Sequence, residues 1–203
     1  MLKPKQFEKR LGQLRSWREY GFILALAERN YPNFALFAEL TAPDHGARVR
    51  KLLDQGWEML GSRDHDLDVF QLLTHLSHCA PDPDAHEVYG VQPALTMVEL
   101  LEQAFLCRVN PDKPRAAAAS AASFAVVMTF IEFSEGEGLD EDALVDLFEG
   151  HELMQAERGF QEFLLEMLGE ARSTDEAWVE ALKATAANDG VSNLGLGLDA
   201  DPQ

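Results

Sequence analysis

Two histidines three residues apart are the first candidates for chemistry in this chain of 203 residues. His75 and His78 can share one face of a helix, a spacing that zinc ligands often use. Cys79 would point away from that pair, and the sequence has no Cys-x-x-Cys element to complete a set of four ligands. We therefore interpret the histidines as a polar helix face followed by a proline-rich loop, and we predict no metal site.

The sequence contains none of the catalytic motifs that are familiar in helical proteins. A diiron bundle needs Glu-x-x-His on two helices, and a zinc protease needs His-Glu-x-x-His, but neither pattern occurs. Gly195 and Gly197 lie in a glycine-rich stretch that lacks the strand and helix of a nucleotide-binding loop. Cys107 has apolar neighbours and is interpreted as a core residue. The sequence thus predicts no catalytic residue and no cofactor.

Two carboxylates lie where burial would give them a role. Glu28 and Glu132 each end an apolar stretch that is expected to form a largely buried helix. Buried carboxylates need partners or shifted pKa values, and functional sites collect such groups. We expect an internal salt bridge, for instance between Glu28 and an arginine of another helix, with a functional site as the alternative.

Helices must position all of these residues, because apolar side chains recur at steps of three and four along almost the whole chain. No window shows strand alternation, so the predicted fold is all-α: a compact bundle of about ten helices without significant β-sheet. The charge-free, alanine-rich stretch Ala116–Ile131 is predicted to be the central helix. A membrane span needs a longer and more apolar stretch, and no membrane association is predicted.

Local signals set the expected ends of the second helix, which begins at Trp17. Ser16 and Glu19 have the spacing of a capping box, in which the serine accepts from a free amide and the glutamate reaches back. Pro32 is expected to interrupt this helix, since the residue before a proline avoids the helical conformation. A separate short helix should then follow through Leu40.

Charge is the strongest compositional signal. The net charge is −18, which repels phosphate backbones, so nucleic acid is not predicted as a partner. Six basic residues lie in positions 1–18, whereas positions 132–180 hold sixteen acidic residues against Arg158 and Arg172. The acidic segment is either a solvated face that keeps the protein soluble or a docking face for a basic protein partner. A homo-oligomer is also left open.

Compartment signals favour the reducing cytoplasm. The two cysteines, Cys79 and Cys107, do not make a disulfide framework in a chain of this length. No apolar segment follows the first lysines, so no secretory signal is expected. Residues 1–198 are predicted to form one helical domain, and residues 199–203 a disordered tail.

Three short motifs resemble a known family. They are Glu28-Arg29-Asn30-Tyr31-Pro32-Asn33-Phe34, then Tyr89-Gly90-Val91-Gln92-Pro93-Ala94, and finally Ser192-Asn193-Leu194-Gly195. Their order and separation resemble the YjaG-like bacterial family of unknown function, over nearly the whole chain. The resemblance implies an all-helical cytoplasmic bacterial protein. It implies no activity, and no catalytic residue is carried over from it.

These motifs allow two hypotheses. In the first they fix helix junctions, and the chain is a non-catalytic binding or adaptor protein, which the lack of catalytic motifs favours. In the second they form a polar pocket around Glu28, Arg29, Tyr31 and Tyr89 that serves an enzyme or a small-ligand-binding protein. Either way, the candidate residues are Glu28, Arg29, Asn30, Tyr31, Pro32, Asn33, Tyr89, Gly90, Pro93, Ser192 and Asn193.

Overall fold

The computed structural model describes residues 2–61 and 67–198, and these ranges confirm the predicted all-α class. Their only β-type contact is an isolated antiparallel bridge between Val191 and Gly197. The predicted disordered tail, residues 199–203, lies outside the described ranges. The described residues hold nine α-helices and a short 3₁₀ turn: α1 Pro4–Leu11, α2 Trp17–Thr41, α3 Pro43–Gly61, α4 Val69–Ser77, α5 Val91–Val109, α6 Ala116–Glu135, α7 Glu141–Gly150, α8 Glu152–Glu170, α9 Glu176–Ala187 and the turn Asn188–Gly190.

The central helix is α2, so the prediction that the alanine-rich helix lies at the centre is wrong. Helix α2 packs against α3, α5, α6, α8 and α9. Its residues from Glu19 to Glu28 are all buried, which means that every side of the helix is covered there. Helix α6, in contrast, leaves many of its alanines exposed. The larger side chains of α2 remove more apolar surface from water than alanines would, so a central position stabilises the fold more.

The predicted interruption at Pro32 is also wrong, because α2 runs unbroken through it. A proline inside a helix lacks the N–H that would bond four residues back and costs about 3 kcal/mol. Two asparagines near Pro32 hold this part of α2 through side-chain hydrogen bonds. Asn30 Nδ2 donates to the Leu26 carbonyl at 2.9 Å, and Asn33 Nδ2 donates to Asn193 at 2.9 Å. Tertiary contacts therefore override the local preference at this position.

The predicted capping box at Ser16 and Glu19 is not formed. Ser16 has a positive φ of 55° and makes no side-chain cap. Glu19 instead caps a different helix: its Oε1 accepts from the backbone N–H groups of Arg115 at 2.6 Å and Ala116 at 3.0 Å. Those amides have no partner within α6, and a carboxylate satisfies them and complements the helix dipole.

Helix α6 joins the main core to a second, smaller one. By length and composition alone it is the one helix of residues 2–61 and 67–198 that could cross a membrane, yet here it packs on α2, α5 and α8. The second core forms around its C-terminal half and consists of Val126, Val127, Ile131 and Leu194. Partly buried side chains of α7 and α8 complete it.

Candidate functional site

The α2 motif sends its side chains toward three different neighbours. Glu28 and Tyr31 face α3, where the Tyr31 hydroxyl donates to the Gly46 carbonyl at 3.2 Å. Arg29 faces α8, with its guanidinium 4.7 Å from the centre of the Phe160 ring. Asn33 faces the C-terminal loop. Consecutive helical residues point about 100° apart, so this divergence follows from the helix itself.

Glu28 forms the salt bridge that the sequence predicted. Its two carboxylate oxygens accept from the Arg50 guanidinium at 2.6 and 2.8 Å, and Trp57 Nε1 donates a further bond at 2.6 Å. Glu28 is buried and Arg50 is partly exposed, which makes the pair an internal brace between α2 and α3. Glu132, the other carboxylate expected to be buried, is exposed, so that prediction is wrong.

The Arg50 brace extends outward to Asp54 and α9. Asp54 Oδ1 accepts from Arg50 at 2.9 Å and from Lys183 Nζ at 2.9 Å. Partial burial alone would raise the pKa of Asp54, but the hydrogen bonds and charges of Lys183 and Arg50 outweigh it and lower that pKa. The result is a network of alternating charges across α2, α3 and α9, in which Glu28, Arg50, Asp54 and Lys183 are each paired with an opposite charge.

A second polar network, which no sequence motif predicted, lies inside the bundle. Glu157 of α8 is 1% exposed and accepts from Ser123 of α6 at 2.7 Å and from Gln161 at 2.6 Å. Gln161 in turn accepts from Ser120 at 2.6 Å, and Asn30 donates to Ser123 at 3.2 Å. A signal was present: Glu157 and Gln161 occupy apolar-stripe positions of α8 between Leu153 and Leu164.

Burial dominates the electrostatics of this network. It raises the pKa of Glu157 above the ordinary value, against the opposing effects of the Gln161 and Ser123 hydrogen bonds and the Arg29 charge. The same burial lowers the pKa of Arg29, while Glu157 works in the other direction. One carboxylate oxygen of Glu157 has no hydrogen-bond partner among the described residues. The Glu157 carboxyl is thus held away from water, and the effect of burial on its pKa exceeds that of its hydrogen bonds.

The first and third motifs meet at this network. Asn193 accepts from Asn33 and also donates its Nδ2 to the Ser123 carbonyl at 3.4 Å. Ser192 shapes the loop around it, because its hydroxyl accepts from the N–H groups of Leu194 and Leu196. Asn33 and Asn193 thus join α2, α6 and the C-terminal loop, and Ser192 orders that loop.

The second motif lies elsewhere. The Tyr89 ring stacks on Phe133 at 4.6 Å and touches Phe130 at 5.9 Å, both on α6. Burial raises the pKa of its hydroxyl to about 12, and that oxygen has no hydrogen-bond partner among the described residues. Gly90 lies beside Phe37 of α2, and Pro93 is buried in the first turn of α5. Tyr89 therefore does not join Glu28, Arg29 and Tyr31 around a common cavity.

The thiols provide no activated nucleophile. Cys79 and Cys107 are both free and buried. Burial raises the pKa of Cys107 to about 12 and also raises that of Cys79, so both stay protonated near neutral pH. In the part of the chain that the structure describes, no group of three or more His, Cys, Asp and Glu side chains is arranged to hold a metal ion.

Fold and site together define an all-helical protein in which side chains of the first and third motifs bond to neighbouring helices and to the C-terminal loop. The chain matches the family described as "Protein of unknown function (DUF416)" over residues 6–197, and it belongs to that family. The resemblance inferred from the three motifs is thereby confirmed.

Relatives cover nearly the whole length. The uncharacterised protein YjaG of Escherichia coli K12 is 26% identical over 188 residues, which is 92% of this chain and 94% of that protein. An uncharacterised Haemophilus influenzae protein is 27% identical over 190 residues, covering 93% and 95% of the two chains. A crystal structure of a DUF416 family protein from Shewanella baltica OS155 superimposes with a TM-score of 0.84 at 28% identity, covering 94% of this chain and 97% of that one.

Proposed function

We propose that this chain is a non-catalytic binding protein that recognises a basic, amphipathic protein segment through one acidic face. We define the acidic face as the exposed acidic side chains at the end of α6, in the following loop and along α7. Its members are Glu132, Glu135, Glu137, Asp140, Glu141, Asp142, Asp146 and Glu149. Part of the proposal is that this recognition takes place in the cytoplasm.

One observation carries the proposal: α7 contains no buried residue. A helix of ten residues is marginal in water without tertiary packing. Leu144, Leu147 and Phe148 are only partly covered by the neighbouring helices, and Val145 is 53% exposed. A helix so weakly packed against its own chain gains stability when a partner covers it.

Charge selects the class of partner. Positions 116–157 hold ten acidic residues and neither lysine nor arginine. His151 Nε2 lies 3.2 Å from Glu135 of this face, but an imidazole adds positive charge only when it is protonated. A face of one sign steers oppositely charged partners toward it and repels acidic ones.

Apolar side chains among the acids indicate that the partner is amphipathic. Phe133 is 69% exposed, Leu139 41% and Val145 53%. Next to them, Met128, Val145, Phe148 and Met154 line a groove of about 470 Å³ between α6, α7 and α8. Glu149, Gln155 and Arg158 are its polar lining, and Arg158 is paired with Glu162 at 3.2 Å. Apolar anchors give affinity and charges give orientation, as in the recognition of an amphipathic helix by a groove.

The alternative, a small-ligand or catalytic pocket around Glu28, Arg29, Tyr31 and Tyr89, receives less support. The Glu28 carboxylate already accepts hydrogen bonds from Arg50 and Trp57. The Tyr31 hydroxyl donates to the Gly46 carbonyl, and the Tyr89 ring stacks on Phe133 of α6. Side chains committed to intramolecular partners are poorly placed to bind a ligand.

The test uses a synthetic peptide of about 15 residues with Lys and Leu at helical spacing, labelled for fluorescence anisotropy. We expect the wild-type protein to bind it in a salt-sensitive manner, and Glu141→Lys/Asp146→Lys to weaken binding at least about tenfold. Val145→Ser should also weaken binding, since it removes an apolar anchor without changing charge.

The matched control is Glu99→Lys/Glu102→Lys, which makes the same charge change on the exposed surface of α5. It should retain wild-type affinity within about threefold. Equal losses in the two double variants would mean that the peptide senses only the overall charge of −18, and the proposal would fail.

A further inference from the structure

A groove between α3 and α4 is lined by two cationic side chains, in contrast to the acidic face. Its volume is about 600 Å³. Helix α3 contributes Arg48, Lys51 and Gln55, whose spacing of three and four places them on one helix face. Gln71, His75 and His78 line the opposite side, on α4 and at its C-terminal cap.

The two cations of the groove have no salt bridge in the part of the chain that the structure describes. Arg48 and Lys51 are exposed and form no ion pair with an acidic residue of ranges 2–61 and 67–198. Arg50, which lies between them in the sequence, differs because it forms salt bridges with Glu28 and Asp54. The groove does contain Asp68, but its Oδ1 accepts from the N–H groups of Phe70 and Gln71 and so caps α4.

The walls supply hydrogen-bond donors and the floor is apolar. Gln55 and Gln71 carry amide N–H groups, and each imidazole has at least one N–H in either protonation state. Beneath them lie Leu52 and Leu72, which are both buried, and the partly buried Leu67. A volume of this size, with an apolar base and a few convergent polar groups, suits a small molecule.

We infer that the α3–α4 groove binds a small molecule that carries a phosphate group on an apolar body. Two cations facing one space favour a dianion over a monoanion, because each adds its own attraction. The Arg48 guanidinium can hold two phosphate oxygens in its fork, and Lys51 adds a point charge. The leucines contact the apolar body. This site is separate from the acidic face, and each proposal stands without the other.

Phenyl phosphate is the probe, with inorganic phosphate and benzoate as comparisons, titrated by calorimetry. The wild-type protein should bind phenyl phosphate with a Kd below about 1 mM, and inorganic phosphate and benzoate at least about tenfold more weakly. Arg48→Gln/Lys51→Gln should remove that binding. The control Lys9→Gln/Lys113→Gln removes the same charge from exposed positions outside the groove and should bind like wild type.

Each other outcome counts against the inference. Absence of phenyl phosphate binding to the wild-type protein would refute the site, and equal binding of benzoate would refute the selectivity for phosphate. Equal loss in the control variant would show that only general charge matters. Glu141→Lys/Asp146→Lys should leave phenyl phosphate binding unchanged, so failure of the acidic-face proposal is distinguishable from failure of this one.

Discussion

Asn33 donates its side-chain amide to the Oδ1 of Asn193 at 2.9 Å, and this bond ties the middle of the central helix to the C-terminal loop. Both residues are buried, at 4% and 3% exposure, and they lie 160 positions apart. The contact unites two of the three family motifs. It also places Asn193 against Ser123 of the interior network, so three distant parts of the chain meet at one point.

This pair should show direct energetic coupling. Asn33→Ala and Asn193→Ala each remove one side of a buried hydrogen bond, and the double variant removes both. We expect a coupling free energy of about 1 kcal/mol from a double-mutant cycle, measured by urea unfolding. Additive effects of the two substitutions would contradict a direct interaction.

Glu28→Gln should be strongly destabilising. The substitution removes the charge that Arg50 faces and one acceptor shared by Arg50 and Trp57. Breaking a fully buried pair costs about 3–5 kcal/mol, and because Arg50 retains 27% exposure we expect about 2–4 kcal/mol. Urea unfolding measures the loss, and Glu102→Gln on the exposed surface of α5 serves as the control. A loss no larger than that of the control would mean that the ion pair contributes nothing to stability.

Glu157→Gln should change how stability depends on pH. Burial raises the pKa of Glu157 in the folded protein above its ordinary 4.5, so its contribution to stability is full below about 4.5 and is lost as the pH rises through the folded pKa. Glutamine has no proton to lose, yet its oxygen can still accept from Ser123 and Gln161. The variant should therefore gain stability relative to wild type as the pH rises above about 4.5, and the gain should level off beyond the folded pKa.

The measurement is a series of urea unfolding curves for both proteins at stepped pH. Other groups titrate in the same range, but they are common to the two proteins and cancel in the difference. A difference that stays constant with pH would contradict the raised pKa of Glu157.

Glu19→Ala should loosen the start of α6. Glu19 is 2% exposed and is the acceptor for the Arg115 and Ala116 amides, so its removal leaves two buried donors unpaired. We expect a cost of about 1–3 kcal/mol and faster hydrogen exchange in the first turn of α6. Asp175→Ala removes the cap of α9 and should leave exchange in α6 unchanged. Unchanged exchange at Arg115 and Ala116 in Glu19→Ala would show that the cap is not needed.

Several features of this protein could be predicted from local sequence, because they depend on spacing alone. The recurrence of apolar residues every three or four positions determined the helical class. An aspartate directly before a helix is a common N-cap, and Asp140 accepts from the Ala143 N–H at the start of α7. That Glu28 forms a salt bridge could also be predicted, since a buried carboxylate at the end of an apolar helix needs a cationic partner. Which arginine supplies that cation could not be read from the sequence.

Tertiary structure decided the features that depend on distant partners. Glu19 caps α6, which begins 97 residues later in the chain. Its spacing from Ser16 predicted instead that Glu19 would cap α2, its own helix. Pro32 stays inside α2 because packing energy summed over many contacts exceeds the cost of about 3 kcal/mol for a proline inside a helix. Helix α2 rather than α6 occupies the centre because its larger side chains bury more apolar surface. The three-residue and four-residue periodicity fixes which face of a helix is apolar, but only the folded arrangement determines what that face meets.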